Sequence, residues 1–128
     1  MNYVIDTHAL VWYLTDSLLL SRKARKIIKD CEGGRGIIIV PTIVLAELLS
    51  ICEKKKIPHF EKLLQKLEES GRYFIHPLDL EIIKKLPRIK DNLELHDRVI
   101  VATAELFKAK IITRDRKIKK LLGSKVIW

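Results

Sequence analysis

The chain has 128 residues, a length typical of one domain with its own core, and we expect a single domain over residues 1–128. Hydrophobic residues make up 48% and charged residues 32%, which excludes a disordered or low-complexity chain. Twenty-five Lys and Arg against sixteen Asp and Glu give a formal charge of +9, which favours a polyanionic partner such as RNA, DNA or an acidic protein.

Short strand patterns alternate with longer helical patterns along the whole chain. The predicted strands are residues 3–5, 37–40, 73–75, 111–112 and 126–127. The predicted helices are residues 7–14, 22–31, 42–54, 58–69, a helix beginning at Asp79, 95–108 and 116–122. Alternation of this kind, with continuous apolar strands, predicts an α/β fold in which helices cover both faces of a mostly parallel sheet.

The sequence also predicts a soluble, cytoplasmic protein without membrane contact. Cys31 and Cys52 form no CxxC pair, and we expect both to be reduced, buried thiols. Asp6 and His8 lie where a signal peptide would be apolar. The longest uncharged run, residues 36–46, is too short to span a bilayer.

Four acids interrupt these apolar patterns, and two of them follow predicted strands. Asp6 comes directly after the first strand, and Asp115 closes the stretch that begins with the fourth strand. Because the carboxyl ends of parallel strands meet at one edge of a sheet, we expect both acids at the same rim. Helix capping is the alternative for each, since Asp is a preferred residue at the start of a helix.

The other two acids, Glu47 and Asp97, lie within predicted helices on faces that the pattern assigns to the core. Their neighbours three and four residues away are mostly apolar, and Glu94 adds a second acid one turn before Asp97. A buried carboxylate needs a cation or a basic side chain. A structural ion pair with Lys or Arg therefore remains the alternative for either acid.

Taken together, the four acids predict a divalent-cation site and phosphodiester hydrolysis. Carboxylate oxygens suit Mg²⁺ or Mn²⁺, which also bind phosphate oxygens of a substrate and can activate water for attack on phosphorus. Zinc is disfavoured, because the histidines have no ligand spacing with one another or with the cysteines. Of these histidines, His8 and His96 adjoin or nearly adjoin acids of the cluster.

Four stretches, "IDTHALVWYL", "TIVLAELL", "LHDRVIVATA" and "IITRD", occur in the order of the motifs of PIN-domain ribonucleases. The chain resembles this family from Tyr3 to its closing residues, and within it most of all the VapC-type toxins of toxin–antitoxin pairs. The resemblance implies a three-layer α/β/α fold with a central five-stranded parallel sheet. It also implies that Asp6, Glu47, Asp97 and Asp115 are the catalytic, metal-binding acids.

Further expectations come from the same resemblance. It implies Mg²⁺ or Mn²⁺ dependence, cleavage of RNA, a homodimer and a cognate antitoxin bound in an apolar groove. The stretch "PHFEKLLQKLEESG" is a candidate to lie beside that groove. Thr113 is expected as an auxiliary hydroxyl and Glu94 as an auxiliary acid. Arg98 also fits the family pattern, and the sequence assigns it no role.

Three other functions are consistent with parts of the pattern. The chain could be a PIN nuclease that matures RNA without an antitoxin, or a non-catalytic module that binds RNA. A phospho-acceptor signalling domain is a third small α/β protein with an acid after its first strand. That class needs an adjacent pair of acids there, and Asp6 stands alone between Ile5 and Thr7.

Overall fold

The computed structural model describes residues 1–55, 57, 59–89 and 92–128. These residues form one five-stranded sheet in the order β3-β2-β1-β4-β5, and every pair of neighbouring strands is parallel. The strands are β1 (Asn2–Ile5), β2 (Ile37–Pro41), β3 (Tyr73–His76), β4 (Lys110–Ile112) and β5 (Val126–Ile127). All five lie where the sequence predicts them, with ends that differ by at most one residue.

Helices connect the strands. The described ranges contain α1 (Thr7–Leu14), α2 (Arg22–Asp30), α3 (Thr42–Lys54), α4 (Phe60–Ser70), α5 (Leu80–Lys85), α6 (Leu95–Phe107) and α7 (Arg116–Leu122). With right-handed crossovers, the rule for parallel strands, α1 to α4 cover one face of the sheet and α5 to α7 the other. The predicted three-layer α/β/α fold is therefore confirmed. Within the described ranges, no helix is both long and apolar enough to cross a bilayer.

Several predicted helix ends are wrong by one or two residues, including the end of α4 at Ser70 and the start of α5 at Leu80. Helix α4 begins at Phe60, after His59 with a φ of 72°, and Pro58, its predicted start, lies outside the described residues. Helix α6 ends at Phe107 because Lys108 takes a left-handed conformation with a φ of 50°. Helix α2 ends at Asp30 and passes into a π-helical turn, Cys31–Arg35, that the sequence pattern did not indicate.

The strand order creates the crevice that positions the site. The chain builds β1, β2 and β3 toward one edge of the sheet, then crosses to place β4 and β5 on the other side of β1. The loops that follow β1 and β4 therefore turn in opposite directions. In open parallel sheets such a reversal leaves a crevice at the carboxyl ends of the strands, where ligands bind.

Beyond their first residues, the central strands β1, β2 and β4 are largely buried on both faces, as the continuous apolar runs predict, whereas edge strand β3 is partly exposed. Val4, Ile38 and Ile111 are fully buried, and they belong to one large core cluster that includes residues of all the layers. Cys31 and Cys52 are buried free thiols, as expected, and burial raises the pKa of both. This core holds the central strands rigidly beneath the rim at which they end.

Gly36 marks a close approach between the starts of β1 and β2. Its backbone is extended, and a Cβ atom there would lie 2.7 Å from the Met1 carbonyl oxygen and 3.1 Å from the Cys31 Sγ atom. The same Met1 oxygen accepts a hydrogen bond of 3.0 Å from the Ile37 N–H. Any side chain at Gly36 would therefore push the first two strands apart.

We expect Gly36→Ala to lower the free energy of unfolding in urea by about 1–3 kcal/mol, the usual cost of overpacking. Gly33→Ala in the same turn is the matched control, because no atom lies within 4 Å of the added Cβ. It should change stability by no more than about 0.5 kcal/mol. Equal effects of the two substitutions would show that the close approach at Gly36 does not limit stability.

Candidate metal centre

Asp6 is fixed at the rim of the sheet by three hydrogen bonds. Its backbone N–H donates to the Ile112 carbonyl oxygen at 3.2 Å, which continues the pairing of β1 with β4. Its Oδ1 atom accepts from the Ala9 N–H at 2.9 Å and so caps helix α1. Its Oδ2 atom accepts from the Thr113 hydroxyl. Asp6 is thus a helix cap, and its carboxyl group is also tied to the loop after β4.

Thr113 and Asp115 form the opposite side of this crevice. The fully buried Thr113 hydroxyl donates to Asp6 and accepts from the Asp115 N–H at 3.0 Å. The Asp115 Oδ1 atom accepts from the Ile118 N–H at 2.8 Å, so Asp115 caps helix α7. A single hydroxyl therefore connects both strand-end acids.

Glu47 is less buried than its apolar neighbours predict. Its side chain is 36% exposed, because this part of helix α3 reaches the open rim instead of the sheet interior. The Glu47 Oε1 atom accepts from the Thr7 hydroxyl at 2.6 Å, at the start of helix α1. The alternative of a structural ion pair with Lys or Arg is not supported, since among the described residues the Glu47 carboxylate contacts the Thr7 hydroxyl and, more distantly, the His96 ring.

Asp97 is partly buried, less than the pattern predicts, with a side chain 14% exposed. The His96 Nε2 atom lies 3.1 Å from Asp97 Oδ1 and 4.0 Å from Glu47 Oε2, and the Nδ1 atom lies 3.7 Å from Glu94 Oε2. His96 therefore lies among three carboxylates, one from helix α3, one from helix α6 and one from the residue that precedes α6. Glu94 itself is 75% exposed, at the position that precedes α6.

Three aspartates from these separate elements share one cavity. Asp6, Asp97 and Asp115 line a space of about 360 Å³, together with Glu94 and His96. Glu47 is not part of this wall and lies behind His96. The cavity opens where the strand order reverses between β1 and β4. Asp6 and Asp115, which follow these two strands, lie at the same rim of the sheet, as predicted.

The aspartates of the cavity oppose one another's ionisation. The pKa of Asp6 is raised, chiefly by burial and further by Asp115, while hydrogen bonds from Thr113 and Ala9 lower it. The pKa of Asp97 is also raised, first by burial, with His96 lowering it and the neighbouring acids raising it again. A cation placed among these carboxylates would favour their charged forms.

The donor set suits a hard cation that keeps part of its water shell. Over residues 1–55, 57, 59–89 and 92–128, no group of three or more His, Cys, Asp or Glu side chains is arranged as a ready-made metal site. Mg²⁺ does not require one, since it is usually bound through one or two carboxylates together with waters and substrate phosphates. Three carboxylates around one cavity fit this mode.

The family follows from a comparison with protein-family models. The model of the PIN domain matches residues 3–122, which is nearly the whole chain. The chain belongs to the PIN domain family. PIN domains are nucleases, which places the cavity in a family of enzymes that hydrolyse phosphodiester bonds. Among curated proteins, no sequence matches the chain significantly.

Solved structures show that this PIN domain shares its fold with chains of toxin–antitoxin assemblies. One is a toxin–antitoxin complex from Klebsiella pneumoniae, with a TM-score of 0.69, 20% identity, and coverage of 98% of this chain and 96% of that one. Another is the crystal structure of VapBC2 from Rickettsia felis bound to a DNA fragment from their promoter. Its TM-score is 0.73 with 19% identity, over 98% and 97% of the two chains.

One wall of the PIN-domain cavity was not predicted from the sequence. Trp12, Arg114 and Lys117 line it together with the acids, and His8 lies beside Trp12 with ring centroids 5.7 Å apart. A signal for part of this wall was present, because His8 and Trp12 are four residues apart on helix α1. Arg98, by contrast, donates from Nε to the Leu93 carbonyl oxygen at 3.2 Å and so fixes the turn before α6.

The Thr113 hydroxyl gives a direct test of how the rim is held. We expect Thr113→Val to lower the free energy of unfolding by about 1–3 kcal/mol, because it leaves the Asp115 N–H and the Asp6 Oδ2 atom without their partner. Chemical denaturation of the purified protein measures this change.

Thr103→Val is the matched control for that substitution. Thr103 is equally buried, but its hydroxyl only donates back to the Val99 carbonyl oxygen within helix α6. Its replacement should cost no more than about 0.5 kcal/mol. A cost at Thr103 equal to that at Thr113 would mean that the bridge between the strand ends has no special effect.

Proposed function

We propose that this PIN domain is a metal-dependent endoribonuclease that acts as the toxin of a toxin–antitoxin pair. The observation that carries the proposal is the shared cavity of Asp6, Asp97 and Asp115 at the reversal of strand order. A cation would relieve the repulsion among carboxylates that share one crevice, and the crevice opens where parallel α/β sheets bind their ligands.

Asp6, Asp97 and Asp115 would hold Mg²⁺ or Mn²⁺ in this proposal. A cation bound there supplies an activated water and neutralises charge on the phosphodiester as it is cleaved. The Thr113 hydroxyl keeps the Asp6 carboxylate aimed into the cavity, since it donates to the Oδ2 atom. The Thr7 hydroxyl holds Glu47 in the same way, behind the first three acids.

His96 and Glu94 complete the proposed site as positioning residues. The His96 Nε2 atom at 3.1 Å from Asp97 restrains that carboxylate and brings Glu47 close to it. Glu94 is exposed at the mouth of the cavity, where its carboxylate would accept hydrogen bonds from water that enters the site. These contacts preorganise the acids, so that little rearrangement is needed when the substrate phosphate arrives.

A nucleic-acid substrate agrees with the charge of the chain. The formal charge of +9 draws polyanions, and Arg116, Lys119 and Lys120 are exposed on helix α7, which starts at Asp115. RNA is proposed over DNA because the four quoted motifs resemble those of PIN ribonucleases. A module that binds RNA without cleaving it would have no need for three carboxylates in the binding crevice.

The toxin role rests on the likeness to toxin–antitoxin assemblies over nearly the full length of both chains. An antitoxin is therefore proposed as partner. Helix α4, from the predicted groove stretch, shows a partly buried apolar side with Phe60 and Leu63 beside Cys52. A reading frame for a DNA-binding antitoxin next to the gene would favour the toxin function. Its absence would favour the alternative function, maturation of RNA without an antitoxin.

A homodimer belongs to the same proposal. Exposed apolar side chains cluster in sequence along edge strand β3 and helix α5, with Phe74 at 49%, Leu80 at 64% and Ile83 at 47% exposure. An edge strand with such side chains is open to pairing with a second copy. Light scattering of the purified protein measures the number of copies in solution.

Removal of one cavity acid tests the nuclease assignment. We expect Asp97→Asn to lower the rate of Mg²⁺-dependent RNA cleavage at least about a hundredfold, because metal-derived stabilisation of the transition state amounts to several kcal/mol. Glu105→Gln removes an exposed acid from the same helix and should leave the rate unchanged. Cleavage that persists in Asp97→Asn or in excess chelator would refute the assignment.

Asp6→Asn separates capping from metal binding. Asn caps helices as well as Asp does, and its NH2 group can donate to the Thr113 hydroxyl instead of accepting from it, so we expect the variant to fold with a loss of about 1 kcal/mol at most but to lose cleavage. Asp79→Asn is the matched control, since Asp79 caps helix α5 through the Ile82 N–H at 3.0 Å and lies outside the cavity. If both variants cleave RNA normally, Asp6 is only a cap.

A further inference from the structure

One wall of the cavity has no part in the proposed metal chemistry. It consists of Trp12 from helix α1 and Arg114 from the loop after β4. The guanidinium carbon of Arg114 lies over the face of the Trp12 ring, 4.6 Å from its centroid. A cation over an aromatic face at this distance is held in place by the ring's negative potential.

The rest of the molecule fixes the Trp12 ring from other sides. Trp128 meets it edge-on, with centroids 5.9 Å apart and an angle of 61° between the rings. Trp12 is partly buried and packs against both apolar clusters of the protein. Arg114, in contrast, is exposed. In this stacked pair, Trp12 is therefore held in place by its neighbours and Arg114 presents an accessible surface, directly beside three carboxylates.

We propose that Trp12 and Arg114 form a stacking platform for one unpaired base of single-stranded RNA, next to the phosphate that enters the acidic crevice. Unpaired bases stack on aromatic rings and on guanidinium planes, and this interaction tolerates any base. The guanidinium N–H groups also donate to phosphate oxygens. This inference rests on the proposed nuclease function, to which it adds the conformation of the substrate.

Lys117 serves a different purpose on the same wall. Its Nζ atom lies 3.4 Å from the Asn92 carbonyl oxygen, so it is directed toward the loop that precedes α6. An ammonium group offers a point charge without a planar surface. The stacking role therefore falls to Arg114 with Trp12, and Lys117 contributes only attraction to the backbone.

A binding experiment without cleavage tests the platform. The wild-type protein is titrated in chelator with two fluorescent single strands of equal length, an oligoadenylate and the matching ribose-phosphate strand that lacks bases. We expect the wild type to bind the oligoadenylate about tenfold more tightly, because stacking of one base is worth about one factor of ten. Trp12→Leu should remove this preference and leave affinity for the base-free strand nearly unchanged.

Three further variants isolate the platform from general effects. Trp12→Phe keeps an aromatic face and should restore most of the preference for bases. Trp12→Leu removes a partly buried side chain and can destabilise the protein. Arg114→Gln changes an exposed residue, so we expect this variant to keep its fold and to show a smaller preference for the oligoadenylate. Lys120→Gln removes a charge from helix α7 outside the cavity. It should weaken the binding of both strands equally and leave the ratio of their affinities unchanged.

The platform and the nuclease function fail in different ways. A wild type that binds both strands equally, or a folded Arg114→Gln variant that keeps the full preference for bases, overturns the platform. RNA cleavage in Mg²⁺ would then still support the nuclease. Conversely, a preference for bases that depends on Trp12, in a protein that never cleaves RNA, supports the platform and rejects the nuclease.

Discussion

The site depends on the hydrogen bond between the Thr113 hydroxyl and the Asp6 carboxylate. It joins the ends of β1 and β4 at the one place where the strand order reverses, and the Asp115 N–H donates to the same hydroxyl. Two helices start from these acids and turn away in opposite directions. The crevice between them stays open, and helix α6 brings Asp97 to it. One buried hydroxyl thus links the two acids that follow β1 and β4.

The fold was largely predictable because its signals are local. Continuous apolar runs located all five strands, and their alternation with helical patterns indicated a parallel sheet covered on both faces. The helix ends were less predictable, since they depend on single residues such as His59 and Lys108 in left-handed conformations. Such conformations are uncommon outside glycine, so the helical pattern continues past the residue where the helix stops.

The site was predictable only in part. The sequence pointed to three of the acids, Asp6, Asp97 and Asp115, because each interrupts an apolar pattern. Each also lies in one of the stretches that resemble the PIN motifs. The degree of burial of Glu47 was misjudged, because a helical pattern does not show that the helix passes the open rim. The Trp12 and Arg114 pair was missed, since its members are distant in sequence and only the pairing of β1 with β4 brings them together.

The most direct test is a crystal structure of the wild-type protein in saturating Mn²⁺, with anomalous differences collected near the manganese absorption edge. The central claim is that the acids at the strand reversal form a divalent-cation site. It predicts an anomalous peak within ligand distance of carboxylate oxygens of at least two of Asp6, Asp97 and Asp115. An ordered cavity without such a peak, at full Mn²⁺ occupancy elsewhere in the crystal, would contradict the account.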